Sequence, residues 1–328
     1  MSKDIQYISQ NLITYLRAAY QAPDMSYKQP IERLQGGFET TSYQVSLVNQ
    51  PQILPESLVL RLYPERYGPN PASWEAAVQN SLFTQGYPVA QVHQVCTELS
   101  VLGGAFMLMD LVPGVPLGFA DPDLVASMLG SLHADLHMRN PVELKRALGT
   151  HGIDPGRCIK DHSIGNLQDI KSNMPWMTEI FDWLEDHPPL VPNQLVGCHG
   201  DFHPLNIMMD SGQVTGVLDW GSFAFADPNY DIGNTLILIT IPYKYLATQL
   251  EGFPIYDSDE MVHTYMTAYQ RRKPIDLTTL DYYLVRRCVL ALIHGAEGQK
   301  VWQHPPIVTD LLTRVREKTG IEVKPPHD

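Results

Sequence analysis

The change of residue pattern around "PGVPLG", residues 113–118, constrains the fold of this chain most strongly. Before this Pro/Gly connection, short apolar runs such as "SLVLRLYP" alternate with turn residues, a pattern typical of strands. After it, apolar residues recur at the spacing of helices. We therefore predict an α+β chain with two lobes, a β-rich lobe over residues 1–112 and a larger, mainly helical lobe over residues 113–328.

Individual elements are predicted from the same patterns. The N-terminal lobe combines strands with helices at 3–20 and 71–85, and Pro71 lies in the first turn of the second helix. In the C-terminal lobe, residues 141–173 are polar and weakly patterned, which predicts a loop-rich insertion. The helices predicted around this insertion are "PDLVASMLGSLHADLHMRN", 176–186, 228–240, 258–271, 277–297 and 305–317.

Composition and charge exclude several classes of protein. The formal net charge of −13 argues against a nucleic-acid-binding protein, which needs a basic surface. The same charge is compatible with a small cationic substrate. The four cysteines are scattered without a C-x-x-C pair, which predicts no disulfide framework or zinc site and fits a reducing cytoplasm. The N-terminus lacks the apolar run of a signal peptide, and no apolar run reaches the length of a membrane span.

Polar residues in the apolar stretch "LVGCHGDFHPLNIMM", residues 195–209, indicate a functional site. Asp201 and Asn206 are close enough in sequence to point a carboxylate and a carboxamide into one cavity. Asp219 ends a second apolar run in "VLDWG". Oxygen ligands of these types suit Mg²⁺, so the three residues together predict a site of phosphoryl transfer.

The same motifs resemble those of a known family. "HGDFHPLN" resembles the protein-kinase catalytic loop and "DWG" resembles its D-F-G motif. With "DPNYDIG" further on, the chain is similar to the aminoglycoside phosphotransferase family, which are small-molecule kinases. The resemblance implies a bilobal protein-kinase-like fold, ATP or GTP as phosphate donor, Mg²⁺ as cofactor and a small-molecule hydroxyl as acceptor.

The resemblance also implies roles for single residues. Asp201 becomes the catalytic base, and Asn206 and Asp219 become the Mg²⁺ ligands. His199 becomes a scaffold residue of the loop, and Asp231 supports the loop from behind.

Two roles stay open for His203, contact with the substrate or a phosphate and a structural role. His133 and His137 stand four residues apart, but Ala134 occupies the Glu position of H-E-x-x-H. We therefore interpret these two histidines as packing or hydrogen-bonded residues.

The nucleotide site departs from the kinase pattern in two places. Arg61 stands where kinases have the strand lysine, and Glu75 on the next helix is its expected partner. "QGGFETTSY" lacks the usual G-x-G-x-x-G phosphate loop, although its hydroxyl residues Thr40, Thr41 and Ser42 offer donors to phosphate. These departures keep open the alternative of a non-catalytic nucleotide-binding pseudokinase or scaffold.

The segment "FMLMDLVPG" is expected to bind the nucleotide base through backbone groups near Asp110 and Val112. Backbone contacts alone do not distinguish ATP from GTP. The connection after Asp219 is short and contains no A-P-E segment, which favours a small acceptor over a protein. Aminoglycosides, choline-like amines, sugars, macrolides and other alcohols all remain possible acceptors. The acidic group at 257–260 is interpreted either as an amino-sugar contact or as a helix start, and the sequence does not indicate the oligomeric state.

Overall fold

A computed structural model describes residues 4–34, 40–160, 164, 167–189, 195–246 and 249–324, with backbone only for 167–169. None of the helices in these ranges combines the length and the apolar character that crossing a bilayer requires. The four cysteines are buried as free thiols.

Helices and strands alternate in the first part of the chain, and helices dominate after residue 227. The helices are α1 Ile5–Ala19, α2 Asn70–Thr84, α3 Leu99–Leu102, α4 Pro122–His137, α5 Pro141–Thr150, α6 Leu167–Asn173, α7 Thr178–Asp186, α8 Pro228–Thr240, α9 Tyr243–Leu246, α10 Ser258–Arg272, α11 Leu280–Ala296 and α12 Pro305–Thr319. The strands are β1 Ser26–Tyr27, β2 Glu32–Arg33, β3 Thr41–Val48, β4 Ser57–Leu62, β5 Val92–Cys96, β6 Phe106–Asp110, β7 Val115–Pro116, β8 Val196–Cys198, β9 Ile207–Asp210, β10 Gln213–Val217 and β11 Ala224–Ala226.

The chain divides into two compact units. The first unit is Met1–Val115, Val142–Pro155 and Met208–Gly221, and the second unit contains the remaining segments, Pro116–Pro141, Gly156–Ile207 and Ser222–Asp328. The first change of unit lies close to the boundary predicted at 112–113. The chain then returns twice to the first unit, and a single boundary between two lobes does not describe these returns.

A six-stranded sheet forms the core of the first unit. Its strands follow the order β1-β3-β4-β6-β5, with β2 also paired to β3, and the pairings are antiparallel. Alternate residues of β4 point to opposite faces of the sheet. Leu58 and Leu60 pack with α1, whereas Val59 packs with α2. Arg61 continues the alternation of Val59, which directs its side chain to the α2 face.

Three helices of the second unit begin at aspartates, and two of them pack closely on one another. The side chains of Asp121, Asp227 and Asp257 cap α4, α8 and α10 by accepting hydrogen bonds from backbone N–H groups of the first turn. Asp257 therefore marks a helix start, one of the two interpretations of this acidic group. A Cβ on Gly130 of α4 would lie 2.1 Å from the carbonyl oxygen of Tyr265 in α10, so this contact between helices requires glycine.

The expectation of a loop-rich insertion at 141–173 is wrong. The segment contains α5, a 3₁₀ turn at Pro155–Cys158 and α6. In α5, Leu144 and Leu148 are buried four residues apart. One buried apolar pair is enough when the rest of the protein covers it, because tertiary packing supplies most of a helix's stability.

Candidate active site

The loop that carries Asp201 leaves the buried strand β8 and ends in a 3₁₀ turn at Pro204–Asn206. Its sharp bend depends on Gly200, whose φ is +84°. A Cβ at this position would lie 2.5 Å from the carbonyl oxygen of Ser222. The backbone conformation and the close approach therefore both require glycine.

The carboxylate of Asp231 in α8 anchors this loop. Its Oδ2 accepts a hydrogen bond from the His199 backbone N–H at 2.6 Å, and its Oδ1 accepts one from the Gly200 N–H at 2.8 Å. The Nε2 atoms of His133 and His137 lie 3.0 and 3.2 Å from the same Oδ2. Burial alone raises the pKa of Asp231, but attraction and hydrogen bonds from the two histidines lower it well below its usual range.

The two histidines are themselves held by tyrosine hydroxyls. His133 Nδ1 lies 2.7 Å from the hydroxyl of Tyr265, and His137 Nδ1 lies 2.7 Å from that of Tyr269. Burial lowers the pKa of His137 to about 4, so this ring is neutral at neutral pH. His133, His137 and Asp231 have the ligand types of a metal site. Because each of their ring nitrogens lies within hydrogen-bonding distance of a partner, hydrogen bonding accounts for the cluster.

Two further residues of α8 fix the same loop. Asn234 Nδ2 donates to the Gly200 carbonyl oxygen at 3.3 Å, and Thr235 Oγ1 donates to that of Phe202 at 2.9 Å. Positions 231, 234 and 235 lie on one face of a helix. A single helix therefore supplies both acceptors and donors to the backbone around Asp201.

Asp201 is held from its own loop. The Nδ2 of Asn206 donates to the Asp201 carbonyl oxygen at 3.0 Å and to Oδ2 at 3.3 Å. Nε2 of His203 lies 3.5 Å from the same Oδ2. The Asp201 backbone N–H donates to Nδ1 of His199 at 3.2 Å. Because the nitrogen of the Asn206 amide faces Asp201, its oxygen is left as the atom that can bind a cation.

The Asp201 side chain is 40% exposed. Burial of the carboxyl raises its pKa, but the charge and hydrogen bond of His203 and the charges of His199 and Arg287 lower that pKa well below its usual range. Asp201 is therefore ionised at neutral pH.

Arg61, Glu75 and Asp219 form a second group of polar residues, in the first unit. Arg61 Nη2 donates to Asp219 Oδ1 at 2.6 Å, and its Nε lies 3.4 Å from Glu75 Oε2. The second contact is electrostatic, because Arg61 Nε makes no hydrogen bond within the described part of the chain. Asp219 has a φ of +64°, which is uncommon outside glycine and often marks a functional residue.

Glu75 joins this group to the neighbouring backbone. It is buried, accepts a hydrogen bond from the hydroxyl of Tyr63 on Oε2, and accepts one from the Trp220 backbone N–H at 3.3 Å on Oε1. Burial raises the pKa of Glu75, and the charge of Arg61 partly offsets this rise. Burial disfavours the charge of Arg61, but the carboxylates of Glu75 and Asp219 raise its pKa above the usual value.

Other predicted nucleotide contacts lie on the sheet. Thr40 immediately precedes β3, and Thr41 and Ser42 are its first residues, with Ser42 opposite Arg61. The glycines at 36 and 37 lie outside the described residues. The side chain of Val112 lies against the position of Gly216 in β10.

The side-chain carboxylate of Asp110, at the end of β6, already contacts residues in and next to the neighbouring strand β5. Its Oδ1 lies 2.7 Å from Nε2 of His93, and its Oδ2 accepts from the Gln91 N–H at 3.0 Å. Its own N–H donates to the Gln91 carbonyl oxygen at 3.0 Å. The carbonyl oxygen of Asp110 is therefore the backbone atom that it can offer to a nucleotide base.

The family model described as "Phosphotransferase enzyme family" matches residues 30–275, about three quarters of the chain. The chain belongs to this phosphotransferase family. Human acyl-CoA dehydrogenase family member 11 is 27% identical over an alignment of 209 positions, and the alignment covers 58% of this chain and 26% of that protein. This phosphotransferase thus spans about a quarter of the length of that relative.

Solved structures of small-molecule kinases share the protein-kinase-like fold of this phosphotransferase. An amicoumacin kinase in complex with AMP-PNP and Ca²⁺ has a TM-score of 0.62 at 16% identity, with 97% of each chain covered. The aminoglycoside phosphotransferase APH(4)-Ia, in a complex with AMP-PNP and hygromycin B, has a TM-score of 0.57 at 15% identity, with 94% of this chain and 99% of that chain covered.

Sequence reasoning missed several residues that hold the site of this phosphotransferase. Asn234 and Thr235 are recognisable in retrospect, because they stand at helical spacing from Asp231 in an otherwise apolar helix. Tyr63 and Tyr243 carried no such signal. Their hydroxyls meet Glu75 and the Asp201 loop only through tertiary structure.

Proposed function

We propose that this phosphotransferase moves the γ-phosphate of a nucleoside triphosphate to a hydroxyl group of a small molecule. The observation that carries the proposal is the loop around Asp201 and Asn206. It presents an ionised, partly exposed carboxylate beside an amide oxygen, on a backbone fixed by Asp231. Family membership supports small-molecule phosphotransfer.

Asp201 acts on the acceptor in this proposal. Its Oδ2 is taken by His203 and Asn206, and within the described residues its Oδ1 has no hydrogen-bond partner. We assign Oδ1 as the atom that orients the acceptor hydroxyl and accepts its proton. Because a carboxylate with a lowered pKa is a weak base, proton transfer is expected late, as the new bond to phosphorus forms.

Asn206 and Asp219 are the proposed Mg²⁺ ligands. An amide oxygen and a carboxylate are the hard oxygen donors that this cation prefers, so the residues fit the group. When bound, Mg²⁺ would neutralise negative charge on the phosphates. His199 and Asp231 support this arrangement by fixing the loop backbone.

The proposed nucleotide contacts lie in the first unit. Arg61, held by Glu75, is assigned to the phosphates together with the hydroxyl residues at 40–42. The backbone near Asp110 and Val112 is assigned to the base. The donor is ATP or GTP, because the amicoumacin kinase and APH(4)-Ia complexes contain AMP-PNP whereas an APH(2")-IIia complex of the same fold contains GDP. The acceptor is an aminoglycoside-like compound or another alcohol.

One observation favours a second function, that of a non-catalytic nucleotide-binding scaffold. Arg61 Nη2 occupies Asp219 Oδ1 at 2.6 Å, which sets an arginine against a proposed metal ligand. If this ion pair persists when nucleotide is bound, Asp219 cannot use Oδ1 to coordinate a metal ion.

Two measurements on the same protein separate these functions. Thermal shift with ATP or GTP, with and without Mg²⁺, reports binding, and coupled detection of ADP or GDP reports turnover on a panel of amino-sugars, macrolides and simple alcohols. We expect metal-dependent stabilisation and acceptor-dependent release of nucleoside diphosphate. Metal-dependent stabilisation without turnover on any acceptor would instead support the scaffold.

A further inference from the structure

We propose that a hydrogen bond from Tyr243 to His203, followed by the contact of His203 Nε2 with Asp201 Oδ2 at 3.5 Å, forms a chain that orients the carboxylate of Asp201, so that both act as positioning residues. The inference rests on the proposed function of Asp201 as the base. It gives His203 a role that its sequence motif leaves open.

The chain begins at the buried hydroxyl of Tyr243, the first residue of α9. Its oxygen accepts a hydrogen bond from the Leu205 backbone N–H at 2.9 Å. Burial raises the pKa of this phenol well above its ordinary value, so the hydroxyl keeps its proton. With the oxygen accepting from Leu205, the proton is directed to another acceptor, and His203 Nδ1 lies 3.3 Å away.

Donation by Tyr243 selects the tautomer of His203. If Nδ1 accepts, the proton of the neutral imidazole sits on Nε2. Nε2 is the atom that lies 3.5 Å from Asp201 Oδ2. The two ends of the ring are thus matched to a donor on one side and an acceptor on the other.

The consequence for Asp201 is a distinction between its two oxygens. Oδ2 receives His203 and, at 3.3 Å, the Asn206 amide, which leaves Oδ1 for the acceptor hydroxyl. Removing His203 therefore leaves Oδ2 with the contact from the Asn206 amide alone among the described residues, which weakens the distinction between the two oxygens.

Tyr243 is itself fixed by aromatic neighbours. Its ring meets those of Phe253 and Tyr256 at centroid distances of 5.5 and 6.0 Å. The hydroxyl of Tyr256 donates to the carbonyl oxygen of Gly118 at 2.6 Å. A hydroxyl held in this way can fix the ring of His203, because its own position is set by packing.

Kinetics of His203 and Tyr243 variants test the proposal. We expect His203→Ala and Tyr243→Phe to lower kcat by about 10- to 100-fold, because the base is misoriented, with little change in KM for nucleotide. His203→Gln keeps an N–H donor and should recover part of kcat. The matched control is Tyr245→Phe, in the same helix as Tyr243, which removes a hydroxyl that donates to Asp310 of α12 and should leave kcat unchanged.

A rise in nucleotide KM at constant kcat would overturn the proposal in favour of a phosphate contact by His203.

The tautomer gives a test that needs no turnover. Nitrogen NMR of labelled histidine should show His203 fixed with its proton on Nε2 in the wild type and mixed in Tyr243→Phe. A mixture of tautomers at His203 in the wild type would refute the proposed link from Tyr243 to Asp201 even if the enzyme is active. A single tautomer with the proton on Nε2 would support this link even if no acceptor is found.

Discussion

At the scale of single residues, the site depends on a few carboxylates whose surroundings differ sharply. Asp201 is partly exposed and faces two nitrogen donors, whereas Asp231 is fully buried and accepts four. Glu75 is also buried, but its neighbours include the second carboxylate Asp219. The motif "HGDFHPLN" was enough to predict Asp201 and Asn206 as one group, because sequence neighbours in a tight loop remain neighbours in space.

The burial of His137 predicts a pH-dependent stability, because burial lowers its pKa more than the hydrogen bond and charge of Asp231 raise it. The folded-state pKa of His137 is about 4, below its ordinary 6.5, so the unfolded chain binds a proton that the folded chain does not. Stability is therefore lost as pH falls from about 6.5 towards 4. Urea unfolding of wild type and His137→Gln at pH 7 and pH 5 measures this effect. Between these pH values the free energy of unfolding should fall by about 2 kcal/mol less in His137→Gln than in wild type. An identical pH slope in wild type and variant would contradict this assignment.

At the scale of elements, strongly periodic segments were predictable and weakly patterned ones were not. The helix predicted at 228–240 has the bounds of α8, and "SLVLRL" is β4. The segment 141–173 was mistaken for loops because α5 has only one buried apolar pair. The face of β4 that carries Arg61 could be predicted by alternation, but the partner strands and the meeting of Arg61 with Asp219 depend on non-local pairing.

The contact of α4 with α10 gives a test at this scale. Gly130→Ala places a methyl group against the Tyr265 backbone, and overpacking of this kind costs about 1–3 kcal/mol. Gly149→Ala in α5 is the matched control, since nothing lies within 4 Å of its new Cβ. Helix propensity predicts that this control gains up to about 1 kcal/mol. Urea unfolding should give opposite signs for the two variants, and a stabilised Gly130→Ala would show that the helices do not approach so closely.

At the scale of the whole molecule, the order of the motifs predicted the class of fold. A β-rich region with Arg61 and Glu75, a Pro/Gly connection and a helical region with the Asp201 loop follow one another as in the kinases. The family match and the protein-kinase-like neighbours confirm that prediction. The chain returns twice to the first unit, at 142–155 and 208–221. These returns could not be predicted, because the residue pattern of such short segments does not indicate which unit they pack in.

The central claim is that Asp201 is the base of phosphate transfer, and turnover by Asp201→Asn tests it most directly. The matched control is Asp210→Asn, which removes the same charge from an exposed position at the end of β9. We predict that Asp201→Asn lowers kcat by about 10²- to 10⁴-fold while nucleotide-induced thermal stabilisation is retained, and that Asp210→Asn keeps wild-type turnover. Wild-type turnover by Asp201→Asn would contradict the account.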